Sequence, residues 1–370
     1  MKNQFFLFLL LAIPTALSGQ KSAELSYHDA KAFRILGRSV ADSVVNAADS
    51  TAYTRLPWSQ KEVFRSELWD LGLNSAGIAV RFRSNSRSIC VRWTVRNNFA
   101  MNHMAATGVR GVDLYILEGD EWRYAGTGIP GSGKENEKIL ISGMNNVEKE
   151  FLLNLPLYDG VVKLEIGIDS AAHIGTPVQP LPLAEKPIVC YGTSITQGGC
   201  ASRPGMTYPA IMERQLQREV INLGFSGNAR MDRSMAEVMR QIDAGAYFVD
   251  CLPNCTQEVI EQSGYDFIHV LLQAAPDTPL FMVEHLLTPA LAFSADAAEA
   301  IQKKNKTWRG IYERLSNEGY GQLFYIPADN LIGVDAEATV DGVHLTDLGF
   351  LRMAEALSSY VHAHTKFRSP

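Results

Sequence analysis

At Pro187 the chain changes period, and that change constrains the fold more than any other feature. Upstream, the runs 78–82, 89–95, 112–117, 138–141, 150–153 and 161–166 are short and rich in β-branched or aromatic residues. Gly, Asn and Ser turns separate them, and no long amphipathic helix interrupts them, the pattern of an all-β sandwich, jelly-roll-like. Downstream, apolar runs at 188–191, 220–223, 247–251, 280–284 and 323–326 alternate with stretches at 208–218, 234–242, 265–275, 295–315 and 348–361 that carry apolar residues at helical spacing. Strands alternating with helices predict a parallel sheet covered on both faces. In such sheets the ligand crevice opens at the carboxyl ends of the strands.

The start of the chain is a separate signal. Met-Lys-Asn-Gln precedes an apolar run from Phe5 to Leu17, then Ala16-Leu17-Ser18-Gly19. This reads as a secretory signal peptide over 1–19, hence an exported (periplasmic or secreted) protein. The run is too short for the roughly 20 residues of a spanning helix, so no stable membrane insertion is expected. The remainder divides into a β-sandwich domain over 20–175, a Pro-rich linker over 176–186 and an α/β domain over 187–370. With 34 basic against 40 acidic residues the net charge is −6, and no basic stripe suggests a nucleic-acid partner. Five cysteines in an exported chain leave at least one unpaired. Cys90 and Cys190 sit in strand-like runs as buried thiols, while one disulfide among Cys200, Cys251 and Cys255 is open. Nothing in the sequence sets the oligomeric state.

The chemistry-bearing residues lie where the predicted sheet would bring them together. Cys190-Tyr191-Gly192-Thr193-Ser194 puts a small hydroxyl residue just past a buried strand, and Val340-Asp341-Gly342-Val343-His344 puts an acid three residues before a histidine. Serine is a weak nucleophile until a base takes its proton, and the base needs a third group to fix its tautomer. Ser194, His344 and Asp341 supply all three. Acyl transfer also needs donors for the developing oxyanion. The Ser194 N–H, the Gly224 N–H and the Asn254 side chain each follow the end of a predicted strand. Gly128 to Lys134 fits the start of a phosphate-binding loop, but Glu135 stands where Ser or Thr would hold magnesium, so it reads as a hairpin loop. No His, Cys, Asp or Glu cluster has metal-ligand spacing; neither a metal nor a cofactor is expected.

Gly192-Thr193-Ser194, Gly224, Asn254 and Asp341-x-x-His344 resemble, in order, the four blocks of the SGNH (GDSL-type) hydrolase superfamily. Gly111-Val112-Asp113-Leu114-Tyr115 resembles the GxDLY-type β domain that precedes a subset of these enzymes. The resemblance implies a three-layer α/β/α domain with Ser194 as nucleophile, His344 as base, Asp341 as orienting acid, and Gly224 and Asn254 beside the Ser194 amide in the oxyanion hole. The first block departs as Gly-Thr-Ser-Ile, and Leu252 replaces the glycine two residues before Asn254.

Two other histidines are candidates for the substrate pocket: His285, after the run 280–284, and His103, in a loop of the β half. Trp58, Trp69, Trp93 and Trp122 are candidates for sugar stacking, with core packing as the alternative. These features together predict a serine esterase acting on a small acyl ester or an acylated glycan, acetyl being the favoured acyl group. A lipase or phospholipase is the rival enzyme. A non-catalytic glycan-binding protein on the same scaffold is the rival of another class.

Overall fold

The structure is a computed structural model that describes residues 24–39, 52–178, 186–365 and 367. The expected signal peptide, and most of the expected linker, lie outside the described residues. The first half opens with β1 (Leu25–Asp29) and β2 (Arg34–Leu36), then helix α1 (Ser66–Gly72), β3 (Ala79–Ser84) and β4 (Ile89–Val95). Helix α2 (Ala106–Val109), β5 (Val112–Glu118), β6 (Glu121–Gly128), β7 (Glu135–Ile141), β8 (Lys149–Asn154), β9 (Val161–Asp169) and β10 (Ile174–Gly175) complete it. Two antiparallel sheets result, β1-β9-β4-β7 and β10-β3-β8-β5-β6, with β2 also on β3. The inward side chains of both sheets, among them Phe82, Val91, Trp93, Leu114, Phe151 and Ile166, form one core. The loop between β6 and β7 joins different sheets, so the phosphate-loop-like segment is a crossover rather than the hairpin expected from the sequence.

The second half holds β11 (Ile188–Gly192), α3 (Ser194–Gln197), α4 (Tyr208–Leu216), β12 (Val220–Gly224), α5 (Arg233–Met239), β13 (Ala246–Asp250) and α6 (Gln257–Ala274). It continues with β14 (Leu280–Val283), α7 (Pro289–Ala292), α8 (Ala295–Asn317), β15 (Leu323–Ile326) and α9 (Asp347–His364). The five strands pair in parallel in the order β12-β11-β13-β14-β15. Every residue of β11, β12 and β13 is buried, as expected of strands covered on both faces. Thr207, Thr256, Ser294 and Thr346 cap α4, α6, α8 and α9 by accepting from the backbone N–H three residues on, which fixes where each helix begins.

The halves share packing. Leu56, Phe64, Leu68 and Trp69, from the segment between β2 and β3, sit in the same cluster as Val189, Tyr191, Leu223 and Phe267. On the other face of the parallel sheet, Met104, Val109, Leu157 and Tyr158 pack with Ile188, Cys190 and Ile195. A side chain on Gly77 would run into Asn222 Cβ at 2.4 Å, so backbone from one half lies directly against the other. The GxDLY segment is part of this joint. Asp113, fully buried, accepts from Arg203 Nη1 at 2.7 Å, Gly205 N at 2.9 Å and Asn154 Nδ2 at 2.8 Å, and Arg203 also donates to Tyr115 Oη at 2.6 Å.

Candidate active site

Strand β11 ends at Gly192, where an added Cβ would lie 1.9 Å from Thr196 Oγ1, so only glycine lets the chain turn this tightly into α3. Thr193 caps that turn by accepting from Ile195 N at 3.2 Å. Ser194 then opens the helix at the carboxyl edge of the sheet, 8% exposed. The turn closes with Gly198 and Gly199 donating to Ser194 O at 2.9 and 2.7 Å. Gly199 has no room for a side chain: its Cβ would meet His344 Cδ2 at 3.0 Å.

His344 arrives from the loop before α9. Asp341 folds that loop, its Oδ1 accepting from Val343 N at 3.0 Å and His344 N at 2.8 Å. Its Oδ2 lies 2.7 Å from His344 Nδ1, and His344 Nε2 lies 2.9 Å from Ser194 Oγ. With an ionised acid on Nδ1, the neutral ring carries its proton there and presents the Nε2 lone pair to the serine hydroxyl. Burial pushes the Asp341 carboxyl up, but the His344 ring and the two N–H donors outweigh it and hold the group down at about 2.

The predicted oxyanion donors fare differently. The Ser194 N–H stands at a helix start, where backbone N–H groups have no intrahelical acceptor. Asn254, at the end of the short helix Leu252–Asn254 after β13, accepts from Ala229 N at 3.4 Å with Oδ1, which leaves its amide N–H groups for the site. Gly224 is a correction. Its N–H donates to Asn222 Oδ1 at 2.9 Å, and its Cα packs so closely on α3 that a Cβ would lie 2.1 Å from Gln197 N. The next two N–H groups are also spent, Phe225 on Gly192 O at 2.8 Å and Ser226 on Gln197 Oε1 at 2.9 Å. Among the described residues the Gly227 N–H has no acceptor; its φ is +70°, and open space faces its Cα. Gly227 is therefore the loop glycine able to serve an oxyanion.

The pocket histidines separate as well. His285 binds Asn305 Oδ1 through its backbone N–H at 2.9 Å and Leu286 O through Nδ1 at 2.8 Å, and none of its hydrogen bonds goes to Ser194, Asp341 or His344. Burial pushes it down to about 4, so it is neutral at pH 7. His103, the pocket candidate from a loop of the β half, is exposed and stands over the site, its ring 5.8 Å from that of His344. Contacts from α2 place this loop: Thr107 Oγ1 donates to Ser202 O at 2.6 Å, and a Cβ on Gly108 would lie 2.2 Å from Ala201 O. Of the tryptophans, Trp93 and Trp69 are core, Trp122 lies under Arg81, and Trp58 is half exposed against Trp69.

The cysteines bear on the site too. All five are free and buried, so the disulfide left open by the sequence does not form. The Cys255 thiol donates to Ala229 O at 3.5 Å and Cys251 O at 3.4 Å, and the Cys200 thiol to His103 O at 3.4 Å. Donor atoms of His103, Cys200, Asp341 and His344 all lie within 4.8 Å of one another. No sequence spacing announces this cluster, because its members come from three distant segments.

Both halves of the chain have known counterparts. Residues 185–362 match the GDSL-like lipase/acylhydrolase family, and residues 25–174 match the N-terminal GxDLY region of SGNH-hydrolase-type esterases. A GDSL-like lipase from Bacteroides ovatus is 36% identical, covers 93% of this chain and 100% of its own, and superposes with a TM-score of 0.86. The chain belongs to the GDSL-like lipase/acylhydrolase family. This family member is a serine ester hydrolase. A salicylyl-acyltransferase from a tetracycline biosynthetic pathway shares the fold at 16% identity (93% and 96% covered, TM-score 0.70). So does a family two carbohydrate esterase from Clostridium thermocellum, solved with cellohexaose, at 13% identity (78% and 92% covered, TM-score 0.55). Comparison with curated proteins finds no match. No helix among the described residues is long and apolar enough to cross a membrane.

Proposed function

We propose that this esterase removes small acyl groups, acetyl above all, from carbohydrate through a Ser194-His344-Asp341 triad. The observation that carries the triad is the continuous chain from Asp341 Oδ2 through the His344 ring to Ser194 Oγ. Ser194 Oγ attacks the ester carbon while His344 Nε2 takes its proton and Asp341 stabilises the imidazolium. The Ser194 and Gly227 N–H groups and the Asn254 amide receive the oxyanion. Collapse breaks the bond to the alcohol, which leaves with the Nε2 proton. Water, deprotonated by the same nitrogen, then cleaves the acyl-serine, and Ser194 recovers its proton. The charged start, apolar run and small-residue end of residues 1–19 support export, which would bring the enzyme to extracellular glycan. The shared fold of a carbohydrate esterase supports the glycan as acyl carrier.

A second reading, hydrolysis of longer acyl chains, is favoured by apolar side chains left exposed beside the His344 loop: Val340, Val343 and Leu287. Thr288 Oγ1 donates to Gly342 O at 2.5 Å, which ties the segment holding Leu287 to that loop. Rates on p-nitrophenyl acetate and octanoate, with acetate release from acetylated xylan, decide between the two. Preference for acetate and release from xylan support the first reading; preference for octanoate with inert xylan overturns it.

A further inference from the structure

The cluster of His103, Cys200, Asp341 and His344 contains two imidazoles, one thiol and one carboxylate, with donor atoms within 4.8 Å of one another. That donor set suits a borderline-soft divalent ion of the zinc class, and the thiol disfavours magnesium or calcium. The four side chains also converge from separate directions: His103 from the loop after β4, Cys200 from the turn after α3, and Asp341 and His344 from the loop before α9. The Cys200 thiol already rests against the His103 main chain at 3.4 Å, and the exposed His103 ring gives the ion a path from solvent. Two of these ligands are the proposed base and its orienting acid.

We propose that a zinc-class ion binds at His103, Cys200, Asp341 and His344 and reversibly shuts off hydrolysis. On binding, the Cys200 thiol releases its proton to solvent and becomes a thiolate ligand; no electron is transferred. The ion holds the His344 ring and the Asp341 carboxylate, so neither is left to activate Ser194. The catalytic state is then the metal-free one, in which His344 bridges Ser194 and Asp341. The effect on rate rests on the triad reading, whereas binding itself does not.

Co(II) serves as the spectroscopic probe. Titration of the reduced full chain, and of Ser194→Ala, should give one tightly bound equivalent with a thiolate-to-cobalt charge-transfer band that Zn(II) abolishes. Cys200→Ser should lose the band, and His103→Ala should weaken binding by at least about tenfold. Zn(II) should inhibit ester hydrolysis and EDTA should restore it. With each variant measured against its own metal-free rate, Cys200→Ser should need at least about tenfold more zinc for the same inhibition. A folded wild type with no band at equimolar cobalt, or a band unchanged in Cys200→Ser, overturns the site. Binding without inhibition overturns the shut-off. If Ser194→Ala stays active while the band forms, the triad reading has failed and the metal site stands.

Discussion

The buried guanidinium of Arg55 donates to the carbonyl oxygen of Gly224, 169 residues further along the chain. It also donates to Asn74 O at 3.1 Å and Leu71 O at 2.5 Å, and stands 4.7 Å from the Phe225 ring centre. Ten residues on, Arg65 pairs with Asp232 at 2.7 Å and donates to Asn228 Oδ1 at 3.0 Å. Two arginines from outside the α/β half thus grip both ends of the loop that carries Gly227. Burial pushes Arg55 down to about 9, which still leaves it a cation at pH 7.

Arg55→Met should therefore destabilise the protein by about 3 kcal/mol or more, because several buried carbonyls lose their donor together. Urea denaturation measures it; a loss below about 1 kcal/mol would mean that water or a neighbour replaces the guanidinium.

Ser194→Ala should cut ester hydrolysis at least ~10³-fold, with His344→Ala nearly as severe. Asp341→Asn should lower kcat ~10²–10⁴-fold with the fold retained, since the amide leaves the imidazole in the wrong tautomer. His285→Ala should spare turnover. Steady-state kinetics on p-nitrophenyl acetate tests all four, and more than a tenth of wild-type activity in Ser194→Ala would sink the nucleophile assignment.

The two loop glycines should fail in different ways. Gly224→Ala should not fold, because its Cβ would overlap Gln197 backbone. Gly227→Ala, with open space at a left-handed φ, should cost about 1–2 kcal/mol of stability and lower kcat. Asn254→Ala should lower kcat ~10²–10³-fold. If the Asn254 variant raises KM alone, its amide is not an oxyanion donor.

Asp250, packed beneath Ser194, should give the fold a pH-dependent stability. Its Oδ2 accepts from Tyr208 Oη at 3.2 Å and Thr196 Oγ1 at 3.4 Å, and burial pushes the carboxyl up to about 7 from an ordinary 3.8. A carboxyl whose pKa rises on folding binds its proton more tightly in the native state. Its stabilising contribution is full below the unfolded value and is lost as pH rises through about 7. Asp250→Asn should then flatten the fall in Tm between pH 5 and 8 and raise Tm at pH 8 by a few degrees. An unchanged slope in scanning calorimetry would assign the pH response to other groups.

A chain beginning near Ala184 should be insoluble rather than merely inactive. It lacks Leu56, Phe64, Leu68 and Trp69, which complete one core of the parallel sheet, and it lacks Arg55. Solubility and circular dichroism check this; a folded, fully active truncation would show that the α/β half is self-sufficient.

Much of this was legible in the residues, and the gaps have physical causes. Strand β4 and the five parallel strands show because buried strands read as apolar runs. Strand β6, Glu-Trp-Arg-Tyr-Ala-Gly-Thr-Gly, stayed hidden because it lies at a sheet edge with much of its length exposed. Helix α1 is seven residues long, too short for a helical period to declare itself. The choice between Gly224 and Gly227 cannot be read from type or spacing, since only the count of spent N–H groups separates them. His103 entered the site through contacts of α2 that no local pattern encodes.

The five buried thiols carry one more consequence. Every cysteine is reduced, and those at 251 and 255 lie close in sequence without being joined. Folding therefore consumes no oxidant and leaves no pairing to be shuffled. The same native protein should form in a reducing cytosol as in an oxidising periplasm, and neither dithiothreitol nor a disulfide isomerase should change its refolding yield.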